Sequence, residues 1–318
     1  MKIRQNKYFI FGIIIMTAII VFSFISYYRQ SFSYSQDYNN IKKHCYNNKE
    51  SENPICGPFI INGKIDISSL EKYLEDSNPI TKRKTMDAIT VTSEIVELTN
   101  FNQLQLFSPL LIAFIVIGML SSEFTSGNFK NYLLRENYNE YLKKTYKSVI
   151  KVAFIMPMSL IVIFIISCFF TRFNFDYSNI STSLAVYNEW KYNNFIVYGI
   201  SVCIIQFLIS LLYINIAIFC IYRNKSKIVT VIMSYLVFIL VYIFIYIVVY
   251  IFIINRVLGF KELTDYFNII GYWFFDNGPN FISIIPLAFL FYLISFLVVR
   301  KIYKNKESMV LAYEKQNS

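Results

Sequence analysis

The sequence predicts an all-α integral membrane protein with six transmembrane helices, both termini in the cytoplasm and an external segment of about 75 residues between the first two spans. Three observations carry that prediction. Of 318 residues, 56% are hydrophobic and only 16% charged, against roughly 25% charged in an average soluble domain; mean hydropathy is +0.46. Six apolar stretches, 8–28, 105–120, 152–170, 195–221, 228–254 and 281–299, contain no Asp, Glu, Lys, Arg or His. A helix needs about 20 such residues to cross the hydrocarbon. The cations, finally, collect on one side of those stretches. With both termini inside, the inner flanks carry 17 basic and 5 acidic residues and the outer segments 13 and 15, the bias that orients spans in a bilayer.

Taken in order, stretch 8–28 follows Lys2, Arg4 and Lys7 like a signal peptide. Its apolar run is too long for one and no small-residue cleavage site follows, so it is expected to stay as a span. The outer segment 29–101 opens polar and irregular, with turns at Pro54 and Gly57-Pro58. Ser68 and Glu71 have capping-box spacing and should start a short helix that Asn78-Pro79 stops. A second helix is expected from Thr81, leading into the second span, which borrows Phe101–Leu104 to reach crossing length at 102–120. Between spans five and six, "IIGYWFFDNGP" reads either as an interfacial aromatic belt or as a re-entrant pair of short helices.

Five cysteines divide by place. Cys168, Cys203 and Cys220 fall in spans as small packing residues. Cys45 and Cys56 share the outer segment, where oxidation is permitted. They form either a disulfide or two free thiols, and a bridge there would contribute about 2–3 kcal/mol.

Much chemistry is excluded. A single histidine, His44, cannot supply a paired-histidine zinc motif or a histidine-based triad inside the membrane. The nearest approach to a phosphate-binding loop, "GPFIINGK" from Gly57, has the wrong length and no Ser or Thr after its lysine. No ionisable group lies within the spans to relay ions. Their polar residues, Ser167, Gln206, Ser210, Asn215, Ser234, Ser283 and Ser295, are expected to make interhelical hydrogen bonds. No enzyme activity is expected, and the spread of cations along membrane flanks argues against nucleic acid.

The second apolar stretch empties into "SSEFTSGNFKNYLLRENYNEYLKK" (121–144), within a cytoplasmic loop at 121–148. Phe129, Tyr132 and Leu133 fall on one helical face, and Tyr138, Tyr141 and Leu142 repeat the spacing after a break. Lys130, Arg135, Lys143, Lys144 and Lys147 make the watery side. Two short amphipathic helices at the interface are expected, the second rising into the third span. Glu123 suits a helix start, where its charge complements the macrodipole.

Glu123, Gly127, Lys130 and Leu133-Leu134 resemble the signature of the type-two ABC transporter permeases, the membrane halves of bacterial ABC exporters. In that family this stretch is a coupling helix seated on a partner ATPase. The match covers about 25 residues at motif level, and Asn139-Glu140 stands where many members carry a small residue and an arginine. The resemblance implies a single permease domain over 1–318 in the bacterial cytoplasmic membrane. It further implies export of a hydrophobic or amphipathic substrate (peptide, antibiotic or lipid-like) driven by a separate ABC ATPase subunit that holds ATP and magnesium, so this chain binds no cofactor or metal itself. A second permease subunit, identical or related, would complete the path. Glu123, Gly127, Phe129, Lys130, Tyr132, Leu133 and Arg135 would form the ATPase-facing surface. The competing reading is a non-transporting sensor or immunity protein whose outer segment binds a peptide or toxin.

Overall fold

The computed structural model describes residues 2–47, 54–61, 64–76, 87–98, 100–125, 138–175, 194–221, 226–244, 247, 252, 256–257 and 284–303. In chain order its elements are α1 (Lys2–Ile41), the strands β1 (Ile60–Ile61) and β2 (Lys64–Ile65), α2 (Ile67–Asp76), α3 (Ala88–Leu98), α4 (Asn100–Thr125), α5 (Tyr138–Ile150), α6 (Ile155–Phe170), α7 (Phe195–Ile221), α8 (Lys227–Phe244) and α9 (Ile284–Ile302). A 3-10 turn, Lys151–Phe154, joins α5 to α6.

Peptide groups in hydrocarbon find no water, so a run of apolar residues can satisfy its backbone only by coiling. The described residues of all six stretches lie in helices. Lys7–Arg29, Tyr138–Phe170, Phe195–Ile221 and Ile285–Ile302 are long and apolar enough to cross a membrane, and Phe107–Ser121 and Lys227–Val241 are shorter apolar helices. Large apolar side chains stay exposed along them, Ile14 and Phe22 on α1 and Phe289 and Leu297 on α9 among them, which suits lipid rather than water. The chain is an all-α, membrane-embedded protein. The helix of the second stretch does begin before it, at Asn100, and runs through Phe101–Leu104. The fifth is described as a regular helix only to Phe244; most of 245–254, the aromatic loop after it and 281–283 lie outside the described residues.

With 40 residues, α1 is about 60 Å long at 1.5 Å per residue, twice the hydrocarbon thickness. Its far end enters a small stapled cap. A single π-type turn, Lys42–Asn47, carries Cys45 to Cys56, and the two are bridged across a separation of 11 residues with Cα atoms 5.5 Å apart. Tyr38, Ile41, Phe59, Leu70 and Leu74 bury themselves around that bridge. The residues of "GPFIINGK" turn into a two-residue antiparallel ladder, Ile60 opposite Ile65 and Ile61 opposite Lys64.

One helix start differs from expectation. α2 is capped by Asp66 instead of Ser68: the Asp66 carboxylate accepts from the Ser68 amide at 3.2 Å and its hydroxyl at 2.7 Å. A charged acceptor two residues upstream outcompetes a hydroxyl for the free amides of the first turn. Glu71 is drawn instead to the Tyr46 hydroxyl, which donates to it at 3.1 Å. Hydrogen bonding from Ser68 holds the Asp66 carboxyl below its ordinary range, so this cap is complete at neutral pH and is lost only as acid protonates it. The helix α3 is described from Ala88, where the buried Asp87 carboxylate takes the Ile89 and Thr90 amides at 2.9 and 2.8 Å; the expected start at Thr81 lies outside the described residues. The Ala88 amide, left over, donates to the Asn174 carbonyl at 2.8 Å. Asn174 is placed there by the end of α6, where Arg172 and Phe173 take positive φ, 55° and 60°, and the Phe173 amide closes back on the Cys168 carbonyl at 2.7 Å. The start of α3 and the end of α6 are thereby locked together.

At the centre stands α7. It touches α4, α6, α8 and α9, and 78% of its apolar window is buried against 6% for α9. The tightest approach lies between α1 and α4, where a Cβ on Gly118 would overlap the body of the Tyr8 ring and a Cβ on Gly12 would overlap the tip of Ile115. An isoleucine tip can swing aside; an aromatic ring edge cannot. Gly118→Ala should therefore destabilise the detergent-solubilised protein by about 1–3 kcal/mol, while Gly12→Ala should cost less, its smaller clash partly offset by about 1 kcal/mol of helix propensity. Thermal unfolding of the two variants side by side checks the order. Cys45→Ser should weaken the cap by about 2–3 kcal/mol, read as faster limited proteolysis between residues 42 and 76 of the full chain.

Candidate functional site

The first residues of α1 and α8 and the last of α4, α7 and α9 lie at one end of the bundle, shown by Tyr8 meeting Gly118 and Tyr303 meeting α7. This is the end that carries Lys2, Arg4, Lys7, Lys143, Lys144, Lys147, Lys227, Arg300 and Lys301. Glu123 falls in the last turn of α4, not at a helix start as expected, so its charge there does not complement a helix N-terminus. Gly127, Phe129, Lys130, Tyr132, Leu133 and Arg135 lie outside the described residues, so what the structure supplies is the frame on either side of them.

The exit side of that frame is α5. Its alternation works as the spacing of its residues requires: Tyr141 and Val149 are buried, whereas Asn139, Glu140, Lys143, Lys144 and Lys147 are exposed. The inner face is also hydrogen-bonded to the bundle. At its first residue the Tyr138 hydroxyl donates to the Tyr303 carbonyl at 2.6 Å. The Tyr303 hydroxyl in turn reaches the Ile218 and Phe219 carbonyls of α7, both at 3.2 Å. Those carbonyls lie in the last turn of α7, where the helix itself offers them no donor. Two turns further along, the Tyr146 hydroxyl donates to Asn215 Oδ1 at 3.1 Å, and Asn215 Nδ2 donates to Ser295 Oγ of α9 at 2.8 Å. Ser295 passes its own proton back to the Tyr292 carbonyl at 2.7 Å. The Tyr146 and Phe296 rings meet edge to face with centroids 5.4 Å apart, and Lys151 Nζ sits 4.8 Å over the Phe9 ring. The helix that leaves the 121–137 stretch is thus tied to both α7 and α9 at two levels.

Of the polar residues expected to bridge helices, Asn215 and Ser295 do so. Ser234 turns onto its own helix, donating to the Thr230 carbonyl at 2.7 Å, and Ser283 lies outside the described residues. Ser167, Gln206 and Ser210 depart from the expectation: they are fully buried, and their side-chain polar atoms have no hydrogen-bond partner. Among the described residues no three His, Cys, Asp or Glu side chains come together in a way that could hold a metal. Nothing in local spacing announces the Tyr138–Tyr303 and Tyr146–Asn215 links, since their members are 165 and 69 positions apart.

Asn215→Leu should remove two cross-helix hydrogen bonds, lowering stability by about 1–2 kcal/mol. Adding Tyr146→Phe to it should then cost less than Tyr146→Phe costs in the wild type, because the hydroxyl has already lost Asn215 and keeps Tyr292 as a partner; thermal unfolding of the single and double variants measures that non-additivity. No protein-family model matches this chain, nor does any curated protein or solved structure.

Proposed function

We propose that the chain is the membrane-spanning permease subunit of a bacterial ABC exporter, with six spans and both termini in the cytoplasm. A separate ATPase subunit binds and hydrolyses ATP with magnesium. Its movement is received by Glu123, Gly127, Phe129, Lys130, Tyr132, Leu133 and Arg135 and delivered to the spans. The cargo is hydrophobic or amphipathic, and a second permease subunit completes the path.

One observation supports this reading above the others: the stretch that resembles a coupling helix leads directly into α5, whose Tyr138 and Tyr146 are hydrogen-bonded into α7 and α9. A push on that stretch has a stiff route to the most buried helix of the bundle. The positive-inside bias adds to this, since the basic end where α4 stops and α5 starts would face the cytosol. The alternative, a sensor or immunity protein that transports nothing, draws on the disulfide-closed cap at Tyr38–Leu74, an ordered surface that an outside peptide could meet.

Affinity purification of the tagged chain from its native membrane separates the two. A P-loop ATPase should come down with the wild type, and its recovery should fall about tenfold or more with Glu123→Lys or Leu133→Asp, because a reversed charge or a buried carboxylate at a docking surface costs a few kcal/mol. An ATPase fully bound and active with both variants would remove the coupling assignment. Absence of any ATPase from the wild-type preparation would favour the sensor.

A further inference from the structure

Gln206 sits near the middle of α7, the central helix, at the twelfth of its 27 positions. Its side chain is completely buried, yet neither Nε2 nor Oε1 has a hydrogen-bond partner. Ser210, one turn on and on the same face, is also completely buried with its hydroxyl unpartnered. Each of these atoms carries the full desolvation penalty of a buried polar group, and a leucine and an alanine at the two positions would carry none. Seven residues the other way along that same face, about 10 Å along the axis, lies Gly199. A Cβ built there meets no atom within 4 Å, so the face opens into free space on the side away from the basic end. Donors and acceptor without partners, at mid-bundle, thus lie two turns along one helix face from open space at Gly199.

From this arrangement we infer that Gln206 and Ser210 form a hydrogen-bonding station for a neutral amide group, the backbone of an apolar peptide or a peptide-like molecule. A carboxamide offers one acceptor and two donors, and a peptide bond offers the reciprocal donor and acceptor, so the two pair side by side. The Ser210 hydroxyl adds a third partner one turn away. A charged group does not fit: no Asp, Glu, Lys, Arg or His lies within α7, and an unmatched charge at this depth is far more costly than an amide. Gln206 and Ser210 are both fully buried, so an approaching amide would have to part the helices packed around α7. The inference rests on the transport reading, since it names the class of cargo that reading leaves open.

The test uses the full chain purified alone in detergent, with tritiated N-acetyl-leucyl-phenylalanine amide as the probe. Saturable binding to the wild type is expected, weakened at least fivefold by Gln206→Leu and about twofold by Ser210→Ala, each removing hydrogen bonds without altering net charge. The analogue with an ester in place of the central amide, which keeps the carbonyl acceptor but loses the N–H donor, should show a smaller gap between wild type and Gln206→Leu. Unliganded Gln206→Leu should melt at least about 2 °C above the wild type, because it relieves an unpaired buried group. Three results overturn the inference: no saturable binding to the wild type, binding by Gln206→Leu within twofold of wild type, or a lower melting temperature for unliganded Gln206→Leu, the mark of a resident water on the carboxamide. Because no ATPase takes part, Gln206-dependent binding in a chain that recruits no ATPase leaves the site standing without the transport reading. An ATPase recruited by a chain that ignores the probe does the reverse.

Discussion

A peptide group in hydrocarbon must bond inside its own segment or not at all, and everything else in this molecule follows from that constraint. It makes a helix of every stretch of apolar residues long enough to matter. It also changes what can hold those helices together. Once the chain is in lipid, burying an isoleucine against another helix brings little that the acyl chains do not already provide. What is left is close packing and the occasional polar cross-link. Both are visible here: Gly118 accepting the Tyr8 ring, Gly12 accepting Ile115, and Asn215 holding α5 and α9 to α7.

Those cross-links are distributed unevenly, and the unevenness carries meaning. They crowd toward the basic end, where Tyr303 also satisfies the last carbonyls of α7. The middle of the same helix holds Gln206 and Ser210 with nothing bonded to either side chain. A bundle selected only for stability would place its polar groups the other way round, unpaired near water at the ends and paired at the apolar centre. The observed order makes the basic end the rigid part of α7 and its middle the part with bonding capacity to spare.

The fold class and the helices themselves were legible because each depends on a local property, a run of apolar residues without charge. Stretch 195–221, for instance, coincides with α7 to the residue. Helix starts were less legible, since several polar residues near a boundary compete for the same free amides. Asp66 displaced Ser68 because a carboxylate is the stronger acceptor, and Asp87 caps α3 in the same way. The disulfide was left open by spacing alone; folding α1 into a π-type turn at Lys42–Asn47 is what carries Cys45 to Cys56. At the candidate site, the inward face of α5 followed from spacing, but Tyr303 did not. Its role depends on α9 returning beside α7, a tertiary fact with no local trace. Gln206 was read as one more interhelical bridge; its isolation appears only when the apolar neighbours are in place.

The length of α1 links the two ends of the molecule. A continuous helix of about 60 Å has its Tyr8 ring seated on Gly118, two turns before the end of α4 that carries Glu123. Its far end, Tyr38 and Ile41, is built into the core of the disulfide cap. Helices of this kind bend gently unless a proline or an inserted group breaks their ladder, and α1 contains no proline. Between those ends α1 is packed into the bundle from Tyr8 to Tyr27, so the helix is held along half its length and only its last turns project to the cap. The bridge at Cys45–Cys56 and the buried side chains around it close the cap directly onto the last turns of the helix, joining the two without a flexible tether.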